Sequence, residues 1–241
     1  MIGELTGYIH PVHSVPSGDA AANALVHAGV WITMKNHKRV AVEFEMGDTV
    51  VTTRTMRLRQ ATDVAGTGAA ALNFTHMWRC AGRLYFGPAT RNAIAYNVGE
   101  VVTGAGAATS IIHSIHADHL VVHSWDNVAY VASEVITGAG GATANLIAAN
   151  FHVDLDIFVR HAIALGERAA GALNTFVAPA VSNKTYIVEV NASRLNVAGG
   201  FDCINADISA VGAADDTARS ITYRVGDTRY AQDPTVSVLS D

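Results

Sequence analysis

Apolar and polar residues alternate with a period of two along much of this chain. Over residues 39–46, Val40, Val42, Phe44 and Met46 fall on one face, and Arg39, Ala41, Glu43 and Glu45 on the other. That period marks a half-buried antiparallel strand. Residues 52–61 alternate again, with Thr53, Thr55, Arg57 and Arg59 opposite Arg54, Met56, Leu58 and Gln60. Further strands are predicted over residues 6–15, broken by Pro11, and over 30–34, 72–78, 186–190, 201–208 and 220–225. Glycine- and Asp/Asn-containing turns at 36–39, 47–48, 63–68, 194–200 and 212–216 separate them. No stretch has the length and 3.6-residue period of a long amphipathic helix. The Ala-rich segment 159–173 has room for a short one, which Gly166 and Gly171 weaken.

Between the two alternating flanks a phrase occurs twice. Residues 100–109 read EVVTGAGAAT and residues 134–143 read EVITGAGGAT, 34 positions on. A repeat at this spacing signals one supersecondary unit used more than once. Each copy opens on a β-branched strand end (Val101-Val102-Thr103; Val135-Ile136-Thr137), turns at glycine and returns into an apolar run. The pattern predicts an all-β protein: an antiparallel β-sandwich or jelly-roll-like domain made of residues 1–82 and 159–241, with a small tandem β-hairpin repeat domain, 83–158, inserted in it. Three consecutive units would leave the N-terminal strands too few partners to bury their apolar faces.

Charge and cysteine content narrow the class. Sixteen basic against 21 acidic residues give a formal net charge of −5, so no basic footprint predicts a nucleic-acid partner. No apolar run of about 18 residues predicts a membrane span, and the opening MIGELTGYIHPVHSV predicts no secretory signal. Cys80 and Cys203 suit neither a zinc site nor a disulfide scaffold and read as buried thiols. A bridge between them stays open if the two flanks bring their Cα atoms within about 7 Å.

The most suggestive chemistry is histidine. His113, His116, His119 and His123 fall within HSIHADHLVVH. On a strand His119 and His123 share a face, which makes them the candidate metal ligands. His113 and His116 have opposite parity, so one strand cannot aim all four at one ion, and no metal or cofactor is expected. No serine lies in a nucleophile elbow and neither cysteine in a reactive motif. Glu43 and Glu45 read as an ordinary exposed face, and the TGAG turns lack the Lys-Ser/Thr of a phosphate loop. No enzymatic activity is expected.

The C-terminal third contains TYIVEVNASRLNVAGGFDCINADIS and then TRYAQDPTVSVLSD, and the N-terminal flank MRLRQATDVAGTGAAALNFTHMW. These resemble a group of small tailed-bacteriophage virion proteins with a YVIEVDA…GFDCVR core and a terminal RYAQD phrase. The middle repeat resembles the V-G-E-x-V-T-G…G-A-T module of phage appendage and surface proteins. The flanking likeness covers residues 38–79 and 183–241. It implies a structural β-protein with no catalytic residues to carry over: a capsid decoration protein on the virion surface, made in the host cytoplasm. Its partners would be the major capsid protein, other virion proteins or further copies of itself. Arg229, Tyr230 and Gln232 in the polar tail, with Trp125 after the first repeat, are the interface candidates. The rival readings are a neck, collar, tail or fibre component, and a host-surface glycan-binding module with Trp31, Trp78 or Trp125 as stacking platform.

Overall fold

The structure, a computed structural model, describes residues 10–15, 26–46, 53–87, 90–124, 130–147, 152–178, 184–210 and 219–228. The first flank forms β1 (His10–Val15), β2 (Val26–Ala28), β3 (Ile32–Thr33), β4 (His37–Met46), β5 (Arg54–Ala61), β6 (Ala70–Ala71) and β7 (His76–Tyr85). The middle forms β8 (Val101–Thr103), β9 (Thr109–Ile115), β10 (His119–Ser124), β11 (Val135–Gly138) and β12 (Thr143–Asn145). The second flank forms β13 (His152–Ala162), β14 (Thr175–Ala178), β15 (Lys184–Asn191), β16 (Cys203–Ala210) and β17 (Arg219–Thr228). The protein is all-β and antiparallel, as the alternation predicts.

Two sheets pack face to face. One runs β1-β17-β4-β15-β7 and continues through β10-β9-β8-β11-β12, with β13 on the other edge of β7. The second runs β14-β5-β16-β2, with β3 on β16 and β6 on β5. Strands from the two flanks alternate: β4 lies between β15 and β17, and β5 between β14 and β16. The core between the sheets takes Val40, Val42, Phe44, Val188 and Ile221 from one and Met56, Leu58, Phe176, Ile204 and Ile208 from the other. Tyr223 of β17 crosses that core, its hydroxyl accepting from Ala206 N at 2.8 Å. Gly29 packs so closely there that any Cβ would collide with the Tyr223 hydroxyl. On the outer face of the second sheet, Arg57 and Arg59 meet the buried Asp207 carboxylate at 2.9 and 3.5 Å.

Leu84, Phe86, Val102, Ile112, Leu120, Val122, Ile136 and Leu146 belong to a second, separate hydrophobic cluster. β7 touches both: Met77 lies in the first cluster and Leu84 in the second. Their opposite parity puts the clusters on opposite faces of the strand. One edge of β7 is taken first by β15, at Trp78 and Arg79, and then by β10, from Gly82 to Tyr85. The other edge carries β13, with a register shift between Asp154 and Phe158.

Two local readings need correction, and the reading of the cysteines as buried thiols stands. The strand expected at 72–78 starts at His76, because Leu72 and Phe74 bond to Leu58 O and Leu173 O outside any regular ladder. Segment 159–173 holds strand to Ala162 and then two single 3-10 turns, Leu165–Glu167 and Ala169–Gly171. The Arg168 side chain is drawn inward between them and donates to Phe74 O, Leu173 O and Thr175 O, which ends any helix. Cys80 and Cys203 are both free and buried, one in each sheet, with no bridge.

Candidate functional site

The two repeats form hairpins β8–β9 and β11–β12, joined by antiparallel β8–β11 pairing. Thr103 faces Thr137, its own counterpart 34 positions on. That register defines a local twofold axis, and the contacts obey it. Tyr96 donates to Ile136 O and Tyr130 to Val102 O, both at 3.1 Å. Each tyrosine thus ties its own copy to the other, and burial raises the Tyr96 phenol to about 12. Glu134 reaches into the first glycine turn and accepts from Gly106 N at 3.3 Å, while its other oxygen accepts from Val131 N at 2.6 Å. Glu100 occupies the matching place against Gly138, where any Cβ would meet its carboxylate. Left-handed backbone recurs at matching positions too: Gly99 and Ser133, then Ala107 and Gly141. Asn92 finishes the exposed side of the second hairpin, bonding Thr143 N and Gly141 O at 3.0 and 2.9 Å. The tyrosines and Asn92 are absent from the sequence-level repeat. Tyr96 and Tyr130 keep the same 34-residue offset, so extending the comparison four residues upstream of each glutamate finds them.

The histidine cluster divides in two. The β9–β10 register shifts so that Val121 pairs Ser114 and Val122 pairs Ile112, leaving His113 as a bulge residue. His113 Nε2 then meets His123 Nδ1 at 2.5 Å. His123, 1% exposed, packs edge-on against His161 of β13 with ring centroids 4.9 Å apart. His161 Nε2 donates to Glu167 Oε2 at 2.8 Å, and Arg79 of β7 stands 3.5 Å from Glu167 Oε1. Arg79 also lies over the rings of Phe176 and Tyr186. The result is a buried polar seam beside the first cluster, assembled from β9, β10, β7, β13 and the turn after β13. His116 and His119 form a separate stacked pair, with His119 Nδ1 2.8 Å from Asp118. The two candidate ligands, His119 and His123, therefore share a strand face but belong to different groups. Among the described residues no three His, Cys, Asp or Glu side chains are arranged to hold a metal ion.

The electrostatics of the seam follow from burial. Desolvation, with the charges of His161 and Arg79 nearby, brings His113 down to about 4. Desolvation, then Arg79 and the neighbouring histidines and Lys184, lowers His123 further still. Burial alone would raise Glu167; its bonds from His161 and Ala164 N–H outweigh that and hold the carboxyl below its ordinary range. The seam thus keeps a neutral imidazole pair next to an Arg–Glu–His group, and adding a proton to the pair places a second charge beside Arg79. Sequence parity finds Arg79, which falls on the inward face with Met77. Nothing in the sequence links Glu167 to His161, because a loop supplies the contact.

The other candidates separate by position. Trp125, Arg229, Tyr230 and Gln232 lie outside the described residues. Trp31 is half-buried, with the Arg59 guanidinium 5.5 Å from its ring and the Gly66 turn against its indole. Trp78 stays partly open on the outer face of β7. Among the described residues no helix is long and apolar enough to cross a membrane. No family model, curated protein or solved structure matches the chain.

Proposed function

We propose that the protein is a structural component of a tailed-phage virion, a decoration protein bound in many copies to the outer head surface. The reading rests on the resemblance of residues 38–79 and 183–241 to small phage virion proteins, and one structural observation supports it. Those two segments contain β5 and all but the first residue of β4, the first four residues of β7, and β15, β16 and β17, which sit side by side in the sheets. The likeness thus falls on one interleaved packing unit rather than on scattered surface phrases. The sandwich would then bind the coat, and the hairpin pair would project from it. Quantitative mass spectrometry of purified virions tests this. Hundreds of copies per particle, with antibody labelling on the head, support decoration. About a dozen copies labelled at the neck or tail replace it with the rival virion location, and absence from particles refutes a virion role.

A further inference from the structure

On the outer face of the long sheet, Arg160 of β13 stands directly opposite Trp78 of β7, and Ile187 of β15 flanks Trp78 on its other side. Two residues along the same faces come His76 and Glu189, so these side chains form one cross-strand patch. Arg194, at the end of the 3-10 turn after β15, closes the patch. His76, Trp78, Arg160, Glu189 and Arg194, together with Asn73, line an open cleft of about 90 Å³, enough to seat a carboxylate group. Arg160 and Arg194 are exposed, and neither has a carboxylate within ion-pair distance among the described residues. Thr75 Oγ1 meets His76 Nδ1 at 2.9 Å. Burial, then the charges of Arg160, His161 and Arg194, keep His76 below the ordinary imidazole range. Two arginines stand against one carboxylate, Glu189, so the cleft keeps a net positive charge beside an aromatic face.

We propose that this cleft binds an acidic monosaccharide, its carboxylate between Arg160 and Arg194 and an apolar ring face against Trp78. Guanidinium groups match a planar carboxylate with paired hydrogen bonds. An indole supplies a large rigid surface for an apolar ring face. Glu189 and Asn73 supply acceptors and a donor for ring hydroxyls. Glu189 also selects against compact dianions, since phosphate or sulfate would bring a second negative charge close to it.

The test uses the full chain and four probes: glucuronate, glucose, acetate and inorganic phosphate, followed by calorimetry and by NMR titration of His76. Saturable binding of glucuronate, with a rise in the His76 titration midpoint, is expected, because the bound anion offsets the arginine charges. Glucose, acetate and phosphate should bind at least roughly tenfold more weakly. Arg160→Gln and Arg194→Gln should each weaken glucuronate binding about tenfold or more at unchanged melting temperature, because both side chains are exposed. Acetate or phosphate binding as tightly as glucuronate would mean a plain anion site and overturn the sugar assignment. So would glucuronate binding unaffected by both substitutions, or no saturable binding at all. The result is independent of copy number in particles, so its failure leaves the virion reading untouched.

Discussion

Single buried polar side chains decide how this protein responds to its surroundings. His113 and His123 are neutral inside the fold but ordinary imidazoles once unfolded. Their folded pKa values lie below the unfolded one near 6.5, so their contribution is full above about pH 6.5. It is lost as pH falls toward His113's value of about 4, because the unfolded chain takes up protons that the seam refuses. His113 alone accounts for up to about 3 kcal/mol over that window, less for its incomplete burial. Glu167 works in the same direction over a lower window: its contribution is present above the ordinary carboxylate range and is lost as pH falls below it. Stability should therefore hold from pH 8 to about 6.5 and fall between 6.5 and 4.5. His113→Asn should flatten that slope; urea titrations at stepped pH would show it, and an unchanged slope would remove the seam as its source.

At the scale of elements, the twofold hairpin pair lets related residues be compared within one molecule. Glu134 satisfies two backbone N–H groups, whereas Glu100 accepts from the side-chain amide of Asn97 at 3.4 Å. Glu134→Ala should therefore cost about 1–3 kcal/mol, the usual penalty for stranding buried donors, and Glu100→Ala less. Equal losses in denaturant melts would mean that the asymmetry has no energetic weight. Tyr96→Phe and Tyr130→Phe should each cost about 1 kcal/mol. Because both bonds cross the same β8–β11 seam, the double variant should depart from additivity; strict additivity in a mutant cycle would count against coupling through the axis. These contacts also show what sequence made legible. Strand β4 was readable because each inward residue from Val40 to Met46 is buried, and the small buried Ala41 is the one interruption of the alternation. The start of β7 was not, because Leu72 and Phe74 alternate and are buried while bonding outside a ladder. The 163–171 turns were hidden for a related reason: their shape depends on Arg168 reaching carbonyls on Phe74, Leu173 and Thr175. The histidine seam was half legible. The cluster on β9 and β10 stands out in the sequence, whereas the bulge at His113 and the distant partners His161, Glu167 and Arg79 depend on tertiary pairing.

At the scale of the molecule, the alternation of strands from both flanks means that neither flank closes a sheet alone, while the second hydrophobic cluster draws only on residues 84–146. Gly82 and Val153 are paired neighbours on β7 and β13, so a tight turn can join them. Replacing residues 83–152 with a two-residue Asn-Gly turn should leave a protein that unfolds cooperatively, since a short hairpin closes the gap at little entropic cost. It should also lose the pH slope assigned to His113 and His123, which the deletion removes. A chain with no cooperative transition would rule out an independently folding sandwich. Under the proposed virion role, the C-terminal tail bears on attachment. β17 pairs with β4 continuously from Arg219 to Gly226 and again at Thr228, and on its other edge β1 covers Ile221 to Val225. The strand needs nothing beyond Thr228 to complete its ladder on β4. Residues 229–241 carry Arg229, Tyr230 and Gln232 and few apolar side chains, a composition suited to a polar interface. Truncation after Thr228 should leave the melting temperature within about 2–4 °C of the full chain, the shift that 1 kcal/mol brings at this size, and abolish binding to heads stripped of the protein. A shorter chain that also lacked Gly226 to Thr228 would lose their pairing with β4 at Arg39 and His37. Heads that recover full occupancy with the truncated chain would show that the sandwich surface, rather than the tail, holds the protein to the particle.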